Sequence, residues 1–342
     1  MSSLFDFYKV LNGRLTFIDK NANYCVEPLG KAGGEEGCFY EKVPYNKGFL
    51  VKGEYSSSLT ILDAEIDFDN LGWRELTLTG AKSFLEADVC SSKDESHYSM
   101  NGVFVSEDGD VVGTDGRVLY YNSPKPELLE EPYPSNLVNV IWLISPLQSK
   151  VLEKNVKSKK PLPMFIGIYQ TMVFLKVGDS YYSSKIIDGQ FPNYHRVIPE
   201  FKYFGKDNYI KITDEIHKAI EALKPSSLDF FEDKIFFRDS SDNIIYTMTN
   251  DQNLGKTKDN IPVGVRIITS KDIFKTSVYL KMKELGLTEL LTTTNPDRST
   301  IIPFSLDNKI AGETKEVAFL RDAQIAYTPN GGTFIWMPGQ PG

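Results

Sequence analysis

The 342-residue sequence predicts an α+β protein assembled from repeated domains. Three observations lead there: two strand-turn-strand signatures far apart in the chain, an amphipathic helix before and after each, and further strand-like runs after each second helix. In Val103–Val112, Glu107, Asp108 and Gly109 separate two apolar runs, which is hairpin chemistry. In Ile235–Met248 the pattern returns, with Asp239, Ser240, Ser241, Asp242 and Asn243 at the turn.

The helices follow from apolar spacing and punctuation. A first is expected over Thr79–Cys90 with Phe84 and Leu85 inward. A second, Ser145–Val156, has Pro146 at a favoured first-turn position and turns Leu152 and Val156 inward. A third spans Thr213–Leu223, with Ile216, Ala219, Ile220 and Leu223 inward and Pro225 as its stop, and a fourth covers Ser270–Leu285. Strands are expected at Met164–Val177 and Tyr181–Ile187 after the second helix, and at Leu287–Thr293 and Thr300–Leu306 after the fourth. Helix, hairpin, helix and hairpin thus occur twice, a long repeat with little sequence identity. The division expected is 79–203 for a middle domain and 204–342 for a carboxy-terminal one.

Residues 1–78 read as a reduced third copy, with a family-specific extension as the alternative. Leu4–Leu11 is read as one short helix, followed by strands at Arg14–Ile18, Tyr24–Glu27, Cys38–Val43, Phe49–Glu54 and Ser58–Leu62.

Composition narrows the function class. At 41% hydrophobic and 25% charged the chain is globular, and a net charge of −8 means that any nucleic-acid contact must come from a local cluster of lysines. Three cysteines, Cys25, Cys38 and Cys90, are an odd number without metal spacing, as expected for reduced thiols in the cytoplasm. The amino terminus lacks a signal pattern, and no apolar run is long enough to span a membrane, so neither secretion nor a membrane partner is expected. Three histidines, His97, His195 and His217, show no metal-binding spacing, and no nucleophile elbow or phosphate-binding loop is present. No enzymatic activity, cofactor or metal is expected. The acidic residues Glu107, Asp108, Asp110 and Asp115 read as solvated turn residues, not as a cation site.

Three matches, the second made of two motifs, carry a resemblance. The run Ile186-Ile187-Asp188-Gly189-Gln190-Phe191-Pro192-Asn193-Tyr194-His195-Arg196-Val197-Ile198-Pro199 closely resembles the signature that closes the middle domain of the bacterial DNA polymerase III beta subunits, the DNA sliding clamps. Upstream, Met100-Asn101-Gly102-Val103-Phe104 and Thr114-Asp115-Gly116-Arg117-Val118-Leu119 resemble two further motifs of that family, and Phe334-Ile335-Trp336-Met337-Pro338 resembles its terminal strand. The three occur in the family's order and at about its spacing.

The resemblance implies the DNA-clamp fold, in which repeated domains place helices along the inside of a ring and antiparallel sheets outside. It implies a processivity factor that encircles duplex DNA without reading its sequence. Its partners would be a replicative polymerase, a clamp loader and other proteins bearing a clamp-binding motif. The chain would pair with itself, as a homodimer if the first domain is complete and as a trimer if it is not. A non-enzymatic, β-rich phage structural or interaction protein is the alternative.

Residue roles follow from the same resemblance. DNA would meet Lys150, Lys154 and Lys157, one stripe on the second helix that Lys159 and Lys160 extend. Lys82, Lys218, Lys224, Lys271 and Lys275 are further candidates on the other helices, with Lys271 and Lys275 near an apolar arc where they could simply snorkel. Lys93, His97 and Tyr98, in the loop Ser91–Ser99, would reach toward DNA. Partner peptides would enter an apolar groove of Met100, Thr114, Gly116, Arg117, Leu119, Pro192, Arg196, Val197, Ile335, Met337 and Pro338. Arg117 stands where the family usually has His and Val118 where it has Arg, and Gly339–Gly342 lacks the usual basic and apolar ending. These departures suggest a divergent clamp, such as one encoded by a phage to serve its own polymerase.

Overall fold

The computed structural model describes residues 7–11, 14–18, 24–28, 39–42, 50–52, 68, 71–123, 137–198, 204–231, 233–252, 254, 263–268, 278–293, 299–305, 314–320 and 324–336. Four helices are described: α1 (Leu78–Cys90), α2 (Pro146–Val156), α3 (Asp214–Leu223) and α4 (Val278–Glu284). The chain divides into two compact units, Met1–Asp88 with Gly102–Val111 and Ser123–Phe191, and Val89–Asn101 with Val112–Asn122 and Pro192–Gly342.

In the first unit, Met164–Tyr169, Met172–Val177 and Ser180–Ile187 form an antiparallel meander. Gln170, at the first tight turn, takes a left-handed φ of 52°. The other edge of Ser180–Ile187 pairs with Tyr24–Pro28 through Tyr181–Val26 and Tyr182–Cys25, and with Val140–Trp142 at Ile186 and Ile187. From Tyr24–Pro28 the sheet continues through Arg14–Ile18, Phe7–Leu11, Phe39–Lys42 and Leu50–Lys52.

Phe7–Leu11 is therefore a strand, which corrects the helix expected over Leu4–Leu11. The apolar spacing is compatible with either form. The register Leu11 opposite Arg14 leaves only the Asn12-Gly13 pair in between, a dipeptide favoured in two-residue hairpins, and cross-strand pairing outweighs local helix propensity. Residues 58–62 lie outside the described residues.

The core of the first unit centres on Trp142, fully buried with its ring 5.0 Å from that of Phe84 on α1. Its indole N–H donates to Ser184 Oγ at 2.6 Å and to Gln148 Oε1 at 3.3 Å. Helix α2 begins with a capping box: Ser145 accepts from the Gln148 amide, and Gln148 Oε1 accepts from the Ser145 amide. The same Gln148 side chain donates to the carbonyls of Tyr182 at 2.8 Å and Val173 at 3.3 Å, seating α2 on the meander. The buried positions of α2 are Gln148, Leu152 and Asn155, while Val156 is half-buried. Asn155 takes an inward place because both ends of its amide are satisfied by the backbone of Leu162, at 2.9 Å each.

In the second unit, one antiparallel sheet runs Phe204–Lys211, Glu289–Thr293, Gln324–Tyr327, Thr333–Trp336 and Val118–Asn122. The last two strands approach closely because Gly332 has no side chain: a Cβ there would lie 2.3 Å from the Tyr120 hydroxyl. The other sheet runs Ile244–Thr249, Lys234–Arg238, Ser227–Phe230, Val263–Ile268, Thr314–Leu320 and Ser299–Ser305, with a parallel pairing only between Val263–Ile268 and Thr314–Leu320 among these.

Helix α3 is capped by Thr213 and ends on Lys224, whose φ of 49° is left-handed, so the chain has already left the helix before Pro225. Ile216 and Ile220 are buried, whereas Leu223, expected inward, is 37% exposed in that last turn. Tyr279 of α4 bonds the His217 ring of α3 at 2.6 Å. The part of the fourth helix expected over 270–277 lies outside the described residues.

Candidate functional site

Among the described residues, a pocket of about 110 Å³ lies within the second unit, lined by Met100, Thr114, Gly116, Arg117, Val118, Leu119, Pro192, Asn193, Tyr194, Val197 and Ile335. Four separate stretches of chain supply these residues, at Met100, Thr114–Leu119, Pro192–Val197 and Ile335. Leu119 and Ile335 sit opposite one another on the paired strands Val118–Asn122 and Thr333–Trp336, so a long-range register fixes one wall. Pro192–Val197, which includes a short 3-10 turn over Tyr194–Val197, supplies another. Of the expected groove residues, Arg196 is exposed and does not line the pocket, and Met337 and Pro338 lie outside the described residues. Val118, Asn193 and Tyr194 also line it, outside the expected groove set but each inside one of the motifs that carry the resemblance.

The rim loop between Thr114 and Val118 is held by its own side chains. Thr114 Oγ1 donates to the Val118 carbonyl at 2.6 Å and accepts from the Gly116 amide at 3.1 Å. Asp115 Oδ1 accepts from the amides of Arg117 and Val118 at 2.9 and 3.0 Å. Gly116 has a φ of +85°, a left-handed conformation in which a side chain would be strained.

Asp115 and Asp110 are not solvated, which corrects the reading of the acidic turn residues. Asp110 is only 8% exposed, and Asp115 Oδ2 accepts from Lys281 Nζ at 2.7 Å, with Lys281 buried and the Asp115 side chain 10% exposed. The reason is that Asp115 caps the loop's amides inward while α4 supplies a cation at the same place. Lys281 also donates to the Cys90 carbonyl, at the end of α1, at 2.9 Å. Glu107 and Asp108 are exposed, as expected for a turn. Among the described residues no group of three or more His, Cys, Asp or Glu is placed to hold a metal ion.

The described lysines expected to meet DNA lie on several elements. Lys150, Lys154 and Lys157 are exposed on α2, each two positions after one of its buried residues Gln148, Leu152 and Asn155. Lys157 also lies 3.6 Å from Glu153. Lys159 and Lys160 are exposed just beyond α2, as are Lys82 on α1, Lys218 on α3 and Lys224 at its end. Lys93, His97 and Tyr98 are exposed around the 3-10 helix Glu95–Met100. In that loop, hydrogen bonding from Ser96 holds the Asp94 carboxyl below its usual range, and its oxygen lies 3.8 Å from the His97 ring. Lys271 and Lys275 lie outside the described residues. No helix among the described residues is long and apolar enough to cross a membrane.

Comparison with known proteins adds a fold and a partial sequence match. No family model matches the chain. Over 158 residues it is 31% identical to the beta sliding clamp of Salmonella typhimurium LT2, a match that spans 43% of this chain and 41% of that protein. It is 30% identical over 158 residues to the beta sliding clamp of Escherichia coli K12, covering 43% of this chain and 41% of the other. The matched part thus spans about two fifths of the curated relatives' length. Among solved structures, the DNA polymerase sliding clamp of Pseudomonas aeruginosa with ligand is similar at a TM-score of 0.57 and 14% identity, over 99% of this chain and 93% of that one. The sliding clamp of Bartonella birtlesii bound to griselimycin is similar at 0.55 and 15% identity, over 98% of this chain and 91% of that one.

Proposed function

We propose that the chain, which has the DNA sliding-clamp fold, is a divergent relative of the bacterial beta clamps that closes into a ring around duplex DNA and tethers a replicative polymerase to it. What carries the reading is the extent of the likeness: the fold match extends over 99% of the chain, well beyond the 158 residues matched in sequence. On this reading the chain comprises three clamp-type segments, 1–78, 79–203 and 204–342, and acts by topology and tethering, without catalysis. It would be loaded by a clamp loader and would close by self-association.

The lysines of α2, with Lys82, Lys218, Lys224, Lys271 and Lys275 on the other helices and Lys93, His97 and Tyr98 in their loop, would contact phosphates without sequence preference. The pocket of the second unit would take the apolar anchors of a partner peptide, with Arg196, Met337 and Pro338 completing its rim.

The test is topological. Loaded onto a nicked circular plasmid and separated by gel filtration, the protein is expected to stay with the DNA and to run off when a restriction enzyme cuts the circle. Equal retention on circular and linear DNA would sink the ring and favour a protein that binds or assembles by contact alone. A second measurement addresses the pocket. Val197→Arg puts a charge on a half-buried position of the lining and is expected to remove polymerase binding in a pull-down while leaving the oligomer mass unchanged. Undiminished polymerase binding would refute the groove.

A further inference from the structure

We infer that Lys281 is a positioning residue for the pocket: its ammonium holds the rim loop Thr114–Val118 in the form that an occupant meets, although it does not line the pocket itself. This inference rests on the groove reading for its functional consequence, but the positioning stands on geometry alone.

Lys281 is 4% exposed on α4, and its ammonium donates to two other parts of the second unit. One is the carbonyl of Cys90, the last residue of α1, where the helix dipole favours a cation. The other is Asp115, whose second oxygen accepts from the amides of Arg117 and Val118. One carboxylate therefore folds the rim and one ammonium fixes the carboxylate.

The loop is tied at its base as well, since the Ser92 amide donates to the carbonyls of both Met100 and Thr114. Met100, Thr114, Gly116, Arg117 and Val118 all line the pocket, so a displacement of Asp115 would move much of one wall. A buried ion pair is seldom an efficient source of stability, because both charges lose their water. Its use in this place is better explained by the shape it imposes on the rim.

The full-length chain provides the test, with griselimycin as the probe because a clamp of the same fold is seen bound to it. Lys281→Met keeps the length of the side chain and removes the charge. It is expected to weaken griselimycin binding in calorimetry by at least about tenfold, or about 1.4 kcal/mol, and to speed hydrogen exchange at the Arg117 and Val118 amides. Lys281→Arg should restore most of both, and a purely structural role would lower the melting temperature without that rescue of affinity.

Asp115→Asn keeps the shape and an acceptor oxygen, and should show the same pattern more weakly even if Lys281→Met does not fold. Unchanged exchange at Arg117 and Val118 in the folded variants would overturn the positioning role. If the unaltered chain takes no griselimycin while Lys281→Met still loosens those amides, the groove reading fails and the positioning stands.

Discussion

Replacing Arg238 with methionine is expected to cost about 3–5 kcal/mol of stability, because it removes the buried ion pair that Arg238 makes with Asp229. Asp229 is fully buried on the strand Ser227–Phe230, and Arg238 Nε reaches its Oδ2 at 2.5 Å from the neighbouring strand. Asp229 stands opposite Phe236, so Arg238 meets it on the diagonal, two positions along the same face. The guanidinium also donates to the Asp242 carbonyl at 2.6 Å, which ties the hairpin turn to the core. The double change Asp229→Leu with Arg238→Met removes both charges and should recover most of the loss. Chemical denaturation of the two variants checks this, and a single variant that lost under about 1 kcal/mol would mean that the carboxylate finds other relief.

Trp142→Ala is expected to destabilise the first unit by about 3–5 kcal/mol, the usual cost of removing a large aromatic side chain from a packed core. Its ring is fully buried edge-on to Phe84, and its N–H joins Ser184 to Gln148. Losing it would open a void and also leave two buried polar side chains short of a donor. Trp142→Phe should recover the packing but not the hydrogen bond, falling between the two in a denaturation series. If the two variants were equally stable, the void would not be the main cost.

Much of this was legible locally. The starts of α2 and α3 follow from Ser145-Pro146 and Thr213, and the hairpin at Asp239–Asn243 from its turn residues. The amino-terminal strand is ambiguous in sequence because the apolar spacing of residues 4–11 also fits a helix, while the Asn12-Gly13 pair that favours a hairpin lies just beyond it. The pocket's separate stretches could be named only through the family resemblance, since nothing local says that Leu119 pairs with Ile335. Lys281 escaped notice for a similar reason. It falls three residues after Val278 and one before Met282, on the inward arc of α4, where a lysine is informative only once its partner is known. Asp115 looked like an ordinary turn residue until Lys281 was placed beside it.

Gln148 has a consequence for the charge carried by α2. Its amide is fully buried and bonded to the backbone of two sheet strands and to the first residue of the capping box, which leaves the helix no freedom to turn about its axis. A slip of one residue would swing every side chain by about 100°. Lys150, Lys154 and Lys157 trail the buried face by two positions and so point directly away from the sheet. The direction in which this positive stripe is aimed is thus set by an uncharged residue that never reaches the surface.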